Sequence, residues 1–130
     1  MKNLEIKETN QTPYVFCDMS GTIRLEGRSF PNNTVDFFNP IFDWVKDFKG
    51  DFAEIHIKLE YFNTSTCKQL LSILRLVASK LEDNFKVFWY YESDDEDALE
   101  IGQHYQTAIG GKFEYVVYCP KNEKRVWAMT

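Results

Sequence analysis

The stretch FAEIHIKLEYFNTSTCK, residues 52–68, joins an alternating segment to a cluster of polar residues. From Ile55 to Tyr61, apolar or aromatic side chains recur at every second position, with charged or polar side chains between them. This period is typical of a β-strand that has one covered face. We therefore predict a strand over residues 52–62, followed by four polar residues that begin at Asn63.

A helix is predicted directly after this strand. From about Thr64 to Glu82, apolar residues recur at spacings of three and four, as in an amphipathic helix packed on one side. The apolar stripe comprises Cys67, Leu70, Leu71, Leu74, Val77, Ala78 and Leu81. Either Asn63 or Thr64 can cap the helix, because its side chain can accept a hydrogen bond from a first-turn N–H.

The N-terminal residues predict a short strand and a β-hairpin. Residues 4–7 favour an edge strand. Two extended runs, residues 14–18 and 22–26, flank a turn that contains Gly21, where a positive φ is easiest. We expect residues 27–33 to form a loop after the hairpin.

The next segment predicts a first helix. Asn33 or Thr34 can cap a helix that runs to about Lys49 and is ended by Gly50. Pro40 falls inside this helix, where it either bends the helix or marks the start of its main part.

Two more strands and a third helix are predicted towards the C-terminus. Residues 86–92 are apolar on both faces, which suits a central strand. Ser93 and Glu96 have the spacing of a capping box and predict the start of a helix. Two glycines at 110–111 are expected to end it, and residues 113–119 predict a last strand.

This order predicts an α/β fold. Strand–helix–strand units need crossover connections, so much of the sheet is expected to be parallel or mixed, with about three helices packed on it. We expect one domain over residues 1–130, with a basic tail from about residue 120 that Trp127 docks.

Composition narrows the class of protein. A chain of 130 residues can bury one core, and a net charge of −5 argues against nucleic-acid binding. No apolar run approaches the roughly 18 residues of a membrane span. Three well-separated cysteines and the lack of an apolar signal segment favour reduced thiols in the cytoplasm. No Cys or His spacing suggests a metal site, and no cofactor is expected.

The junction at Asn63 is the strongest candidate for function. One polar residue suffices to cap a helix, a contribution of about 1 kcal/mol, whereas four follow Phe62. The unpaired N–H groups and the dipole of the helix favour a phosphate there, as a covalent modification or as a ligand. From spacing alone, the favoured interpretation is a plain helix cap. The functional alternatives are a phosphorylated signalling protein and a small-molecule-binding domain that holds an anion or nucleotide with residues 64–68.

Other reactive side chains favour structural interpretations. The acidic run Asp94–Asp97 lies at a helix start, where it complements the dipole. His56 and His104 each stand alone in sequence, and Cys67 falls on the apolar stripe. No spacing of a nucleophile and a base is visible, so an enzyme is disfavoured and no catalytic residue is assigned.

Several blocks of the chain together resemble the SiaC family of bacterial regulatory phosphoproteins. They cover about Thr12 to Tyr118 and comprise Thr12-Pro13, Gly21-Thr22-Ile23, Gly27-Arg28-Ser29-Phe30-Pro31-Asn32-Asn33, Phe37-Phe38-Asn39-Pro40, Trp44, Tyr61-Phe62-Asn63-Thr64-Ser65-Thr66-Cys67-Lys68 and Trp89-Tyr90-Tyr91-Glu92. The Asn-Thr-Ser motif in its strand–helix setting is fairly specific. The resemblance implies a STAS-like domain, similar in fold to the anti-sigma factor antagonists.

The resemblance also implies a partner-switching mechanism. Such proteins are phosphorylated on a hydroxyl of this motif by a partner serine/threonine kinase and dephosphorylated by a partner phosphatase. In the best-known branch, the unphosphorylated protein binds and activates a diguanylate cyclase, which makes it part of c-di-GMP signalling. Thr64 corresponds to the acceptor, with Ser65 as the alternative and Thr66 as a secondary site. Asn63 and Thr66 replace the Asp and Gly of the antagonist motif.

We therefore expect a phosphorylation-controlled switch that is not an enzyme and is a monomer or weak dimer. Its partners are expected to contact the turn near Ser20, the loop over residues 28–33 and the motif surface. The motif surface comprises Tyr61, Phe62, Asn63, Thr64, Ser65, Thr66 and Lys68.

Overall fold

The strands lie in the sheet in the same order as in the chain. The computed structural model describes residues 2–119, which contain a six-stranded sheet in the order β1-β2-β3-β4-β5-β6. The elements are β1 (Leu4–Ile6), β2 (Tyr14–Cys17), β3 (Thr22–Ser29), α1 (Thr34–Asp47), β4 (Ala53–Phe62), α2 (Thr64–Leu81), β5 (Phe85–Glu92), α3 (Glu96–Ile109) and β6 (Lys112–Tyr118). β1, β2 and β3 pair antiparallel, whereas β3 to β6 pair parallel. The predicted mixed α/β fold is confirmed, while the tail and Trp127 lie outside the described residues.

The hairpin between β2 and β3 depends on Gly21. Its φ is +109°, and a Cβ at this position would lie 2.3 Å from the carbonyl oxygen of Phe52. The Gly21 N–H donates to the Asp18 carbonyl at 2.8 Å, and the Gly21 carbonyl accepts from the Glu54 N–H at 2.8 Å. Glycine is therefore required both for the turn and for its close approach to the start of β4.

All three helices contribute to one hydrophobic core against the sheet. Trp89 of β5 lies at its centre with 1% of its surface exposed, and its indole Nε1 donates to the Ala98 carbonyl of α3 at 2.9 Å. Gly102 lets α3 approach this ring, since a Cβ there would lie 2.8 Å from Trp89. Side chains of this size each contribute roughly 1.5–3 kcal/mol when buried, so the core fixes the position of α3 on the sheet.

The other face of the sheet carries charged and aromatic side chains in cross-strand contacts. The His56 ring stacks on Phe88 with a centroid distance of 4.5 Å. Lys86 pairs with Glu114 at 2.9 Å, and the Lys58 ammonium lies 4.8 Å from the centre of the Tyr118 ring. β5 therefore has side chains in contact on both faces, as its apolar sequence predicted.

The helix ends differ from the sequence prediction by a few residues. Asn33 caps α1, which continues through Pro40 but stops at Asp47 rather than near Lys49. The capping box at Ser93 is wrong. Asp95 caps α3 instead, because a turn in which the Asp95 N–H donates to the Glu92 carbonyl carries the chain past Ser93. The predicted end of α3 is confirmed, with Gly110 at the cap.

β3 is longer than predicted, and its last residues lie beside the end of β4. Residues 27–29, expected to be loop, pair with the last residues of β4. The register shifts between Gly27 and Arg28, so that Glu60 is an extra residue in β4 opposite this step. Such a β-bulge reverses the alternation of the residues that follow it. In β3 the alternation continues to the end of the strand, because every second residue is small or apolar: Ile23, Leu25, Gly27 and Ser29.

Lys80 of α2 binds the C-terminal end of α1. Its ammonium donates to the carbonyls of Val45, Lys46 and Phe48 at 2.7, 2.7 and 2.8 Å. The Val45 and Lys46 carbonyls lie in the last turn of α1, and Phe48 is its C-cap residue. A positive charge is favourable at this end of a helix, where acceptors lack intrahelical partners.

We predict that Lys80→Met lowers the free energy of unfolding by about 1–2 kcal/mol, because the methionine retains the aliphatic stem and loses the three charge-assisted hydrogen bonds. Urea denaturation followed by tryptophan fluorescence measures the change. Arg75→Met, which replaces an exposed basic residue in the middle of α2, is the matched control and should change stability by no more than a few tenths of a kcal/mol. Equal effects for the two variants would contradict the capping role.

Candidate functional site

The polar motif after β4 forms the capped first turn of α2. The backbone of Asn63 is extended, with φ −86° and ψ 175°, and its side-chain oxygen accepts from the Thr66 N–H at 2.9 Å. The Asn63 carbonyl accepts from the Cys67 N–H at 3.0 Å. Asn63 is therefore the N-cap, and Thr64 and Ser65 occupy the first two helical positions.

The three hydroxyls of the motif have different environments. Thr64 and Ser65 are exposed, whereas Thr66 is fully buried with 0% of its surface exposed. The Thr66 hydroxyl lies 2.9 Å from the Ser29 hydroxyl and donates to the Ser29 carbonyl at 3.1 Å. Thr66 is thus enclosed between α2 and β3, and the expectation that it is a partner contact or a secondary acceptor conflicts with this burial.

The bulge in β4 decides which aromatic residue faces outward. The simple alternation placed Tyr61 with the covered residues, but Tyr61 is 54% exposed. Phe62 instead points to the core, where its ring meets Trp89 edge-to-face at 6.1 Å. The exposed Tyr61 ring packs edge-to-face on Phe30 at 5.5 Å. An aromatic pair therefore lies beside the motif, as large apolar anchors do at protein interfaces.

The loop after β3 also lies at the site. A groove of about 310 Å³ separates the N-termini of α1 and α2. It is lined by Asn32, Asn33, Thr34, Val35, Ser65, Lys68 and Gln69. The sequence expectation that residues 28–33 adjoin the motif therefore agrees with the structure. Thr64 is not among the residues that line the groove, so the two exposed hydroxyls have different neighbours.

The hairpin turn near Ser20 does not belong to this surface. Gly21 contacts Glu54 at the start of β4, whereas the motif follows the end of this ten-residue strand. At about 3.3 Å per residue, the two ends are roughly 30 Å apart. The expectation that one partner surface includes both Ser20 and the motif is wrong, because the turn lies at the opposite end of β4 from the motif.

The electrostatics of the first turn favour an anion on its hydroxyls. The first N–H groups of a helix carry its positive dipole end, and α2 has no acidic residue in its first turn. The neighbouring α1 start adds a second dipole end at the groove, and the exposed Lys68 adds a positive charge. A phosphoryl group on Thr64 or Ser65 would therefore be stabilised without unfolding the helix.

Cys67 has no sign of an activated thiol. It is half-buried, and burial is the main cause that raises the pKa of its thiol above the usual value. The Tyr105 hydroxyl donates to the Cys67 carbonyl at 2.6 Å. This hydrogen bond joins α3 to the first turn of α2, so Cys67 contributes to the support of the motif.

The other candidates from the sequence lie away from the motif or have structural partners. His56 is buried on the open face of the sheet, with Nε2 2.7 Å from Glu54 and Nδ1 3.0 Å from the Tyr90 hydroxyl. His104 is exposed on α3. Among residues 2–119, no group of His, Cys, Asp or Glu is placed to hold a metal ion. No helix in the same range is long and apolar enough to cross a membrane.

Residues 6–118 match the model of the SiaC family of regulatory phosphoproteins. An uncharacterized protein of Pseudomonas aeruginosa (strain UCBPP-PA14) is 30% identical over 112 residues, which is 82% of this chain and 89% of the relative.

Two solved structures from Pseudomonas aeruginosa have the same fold. The crystal structure of apo-SiaC is 28% identical with a TM-score of 0.79, covering 89% of this chain and 99% of that one. The other structure is the diguanylate cyclase SiaD in complex with its activator SiaC. Its matching chain is 27% identical with a TM-score of 0.81, covering 88% of this chain and 99% of its own length.

We predict that thiol reactivity in the folded protein follows exposure. Cys119 is exposed and Cys67 half-buried, while Cys17 is buried and its pKa is raised to about 12 by that burial. Because only the thiolate reacts, iodoacetamide at pH 8 should modify Cys119 first, Cys67 more slowly and Cys17 last. Peptide mass spectrometry measures the three rates.

The control for this prediction is the same reaction in denaturant, where the three rates should become similar. If Cys17 reacts as fast as Cys119 in the folded protein, the packing of β2 against the core is not as described.

Proposed function

The chain belongs to the SiaC family of regulatory phosphoproteins, and from this premise we propose that it is a phosphorylation-controlled switch of a bacterial partner-switching system. The observation that supports the proposal is the difference in solvent exposure among the three hydroxyls of the motif. Thr64 and Ser65 are exposed on a capped helix turn, whereas Thr66 is enclosed. A kinase can therefore reach two hydroxyls on a surface that remains folded.

Thr64 is the proposed acceptor, and Ser65 is the alternative. Thr64 is the first residue of α2, directly after the N-cap, and its side chain is exposed. A phosphoryl group there would sit at the positive end of the helix dipole. Ser65 is exposed as well but faces the groove beside Lys68, so a phosphate on Ser65 would have a cationic neighbour.

The switch is electrostatic and steric. The partner surface comprises Tyr61, Phe30 and the exposed first turn of α2 up to Lys68, where aromatic area and polar groups lie together. Phosphorylation adds about −1.5 to −2 charges at neutral pH. A dianion in the middle of a docked interface must be desolvated, which costs more than most surface contacts provide unless the partner offers a cation. Phosphorylation can thus cause one partner to dissociate and another to bind.

The partners follow from this mechanism. SiaC of Pseudomonas aeruginosa is the activator of the diguanylate cyclase SiaD, and we infer an effector of the same class for the unphosphorylated form of this chain. A serine/threonine kinase and a phosphatase would set the phosphorylation state. The kinase supplies ATP, Mg²⁺ and the catalytic groups for the transfer, so this chain need bind none of them. We propose that the chain is a one-domain, non-enzymatic protein of the cytoplasm, a monomer or weak dimer.

A second function is favoured by one feature, the groove between the two helix N-termini. Ser65, Lys68 and Asn33 lie on its walls, and such termini bind anions. A domain that binds a nucleotide phosphate is the alternative. If this function holds, ATP should raise the melting temperature of the unmodified protein, and Lys68→Ala should abolish the rise. Without a rise for ATP or inorganic phosphate, the alternative fails.

We predict that Thr64→Ala removes most of the phosphorylation seen by peptide mass spectrometry on protein from its native cells. It should leave binding to a diguanylate cyclase of the same genome intact. Phosphorylation of the wild type should weaken that binding at least ~10-fold in isothermal calorimetry, because desolvating a dianion costs more than the 1.4 kcal/mol of a tenfold change.

The matched controls are Ser65→Ala and Ser79→Ala, the second an exposed serine of α2 far from the motif. Ser79→Ala should change neither property. If the phosphoryl group disappears only in Ser65→Ala, the acceptor is Ser65. If Thr64→Ala and Ser65→Ala, singly and together, change neither phosphorylation nor binding, the proposed switch is wrong.

A further inference from the structure

Ser29, at the end of β3, holds both ends of the first turn of α2. Its carbonyl accepts from the Asn63 N–H at 3.1 Å and from the Thr66 hydroxyl at 3.1 Å, and its hydroxyl lies 2.9 Å from the Thr66 hydroxyl. The Asn63 side chain closes the ring by accepting from the Thr66 N–H. We refer to Ser29, Asn63 and Thr66 as the clamp.

The direction of the hydrogen bond between the two hydroxyls follows from the number of protons. A hydroxyl carries one proton, and that of Thr66 is donated to the Ser29 carbonyl. The Ser29 hydroxyl must therefore donate to the Thr66 oxygen. Both side chains are 0% exposed, so neither hydroxyl exchanges its partner with water.

The clamp fixes the two residues that lie between its ends. Thr64 and Ser65 lie between Asn63 and Thr66 in the sequence. Both ends of this four-residue turn are hydrogen-bonded to the same residue of the sheet, Ser29. The first turn of a helix normally frays. Here its backbone is attached to the sheet, so the points from which the exposed Thr64 and Ser65 side chains project are fixed.

The space between β3 and α2 can be filled without a buried pair of hydroxyls. An alanine and a valine have nearly the shape of Ser29 and Thr66, and replacing both partners of a buried hydrogen bond by apolar groups of the same shape is often nearly neutral for stability. The carbonyl at position 29 would still accept from the Asn63 N–H, so the double replacement leaves no acceptor unpaired. Stability alone therefore does not require the two hydroxyls.

We propose that Ser29 and Thr66 are positioning residues that present the acceptor hydroxyl to the kinase. This inference rests on the proposed function, and it names a regulatory role for two residues that a partner does not touch. Transfer of a phosphoryl group requires the attacking oxygen in line with the γ-phosphate, and a displacement of about 1 Å can cost orders of magnitude in rate. The clamp supplies this placement from inside the protein.

The test compares three variants of the full chain. Thr66→Ser keeps the hydroxyl, Thr66→Val removes it at constant shape, and Ser29→Ala/Thr66→Val removes both hydroxyls. Each is incubated with ATP and an extract of the native cells, and intact mass gives the initial rate of phosphorylation. Peptide mass spectrometry gives the modified residue, and the melting temperature of each variant is measured in parallel.

We expect the double variant to be phosphorylated about 10-fold more slowly than the wild type, with the phosphate spread between positions 64 and 65. Its melting temperature should remain within about 3 °C of the wild type. Thr66→Ser should retain at least about half of the wild-type rate, because the donor and acceptor remain. A purely structural role would not slow phosphorylation in a variant that keeps its stability.

The failures of this inference and of the proposed function are distinguishable. A double variant that is phosphorylated at the wild-type rate and on the same residue overturns the positioning role while the switch stands. Thr66→Ser that is as slow as Thr66→Val also overturns it. A wild-type chain that takes up no phosphate in the same extract overturns the proposed function, and the positioning role with it.

Discussion

The hydrogen bonds accepted by the Ser29 carbonyl are the constraint on which the candidate site depends. They join the end of a central strand to the start of the helix that follows the next strand. They form only because the bulge at Gly27 and Glu60 shifts the register of β3 and β4 by one residue. The same shift turns Tyr61 outward and Phe62 into the core. One local irregularity therefore sets both the geometry of the motif and the aromatic surface beside it.

The rest of the fold supports this junction from several sides. The Tyr105 hydroxyl of α3 donates to a carbonyl in the first turn of α2, and Lys80 at the far end of α2 binds the last turn of α1. The helix that carries the motif is thus fixed at both ends to its neighbours. Under the proposed function this junction needs no flexible element, because a phosphoryl group would change the charge of an ordered surface.

Much of the fold could be predicted from the sequence, because its helices and strands have clear hydrophobic periods. The hairpin turn at Gly21 and the strand–helix junction at Asn63 were also readable, since glycine and cap residues have specific backbone requirements. The Asn-Thr-Ser motif identified the candidate site directly. The helix start at Asp95 was missed, because several acidic residues in a row offer more than one cap. The end of β3 was missed, because Gly27 and Ser29 continue its period with small rather than apolar side chains.

The sequence by itself determined that three hydroxyl residues stand at the start of a helix, in a chain that belongs to a family of regulatory phosphoproteins. Only the tertiary structure decided that Thr64 and Ser65 are exposed while Thr66 is enclosed by Ser29, and that Tyr61 rather than Phe62 faces outward. It also separated Ser20 from the motif and brought residues 30–33 to it. The physical reason is that spacing along a chain gives the period of an element, whereas the register between strands fixes which residues meet.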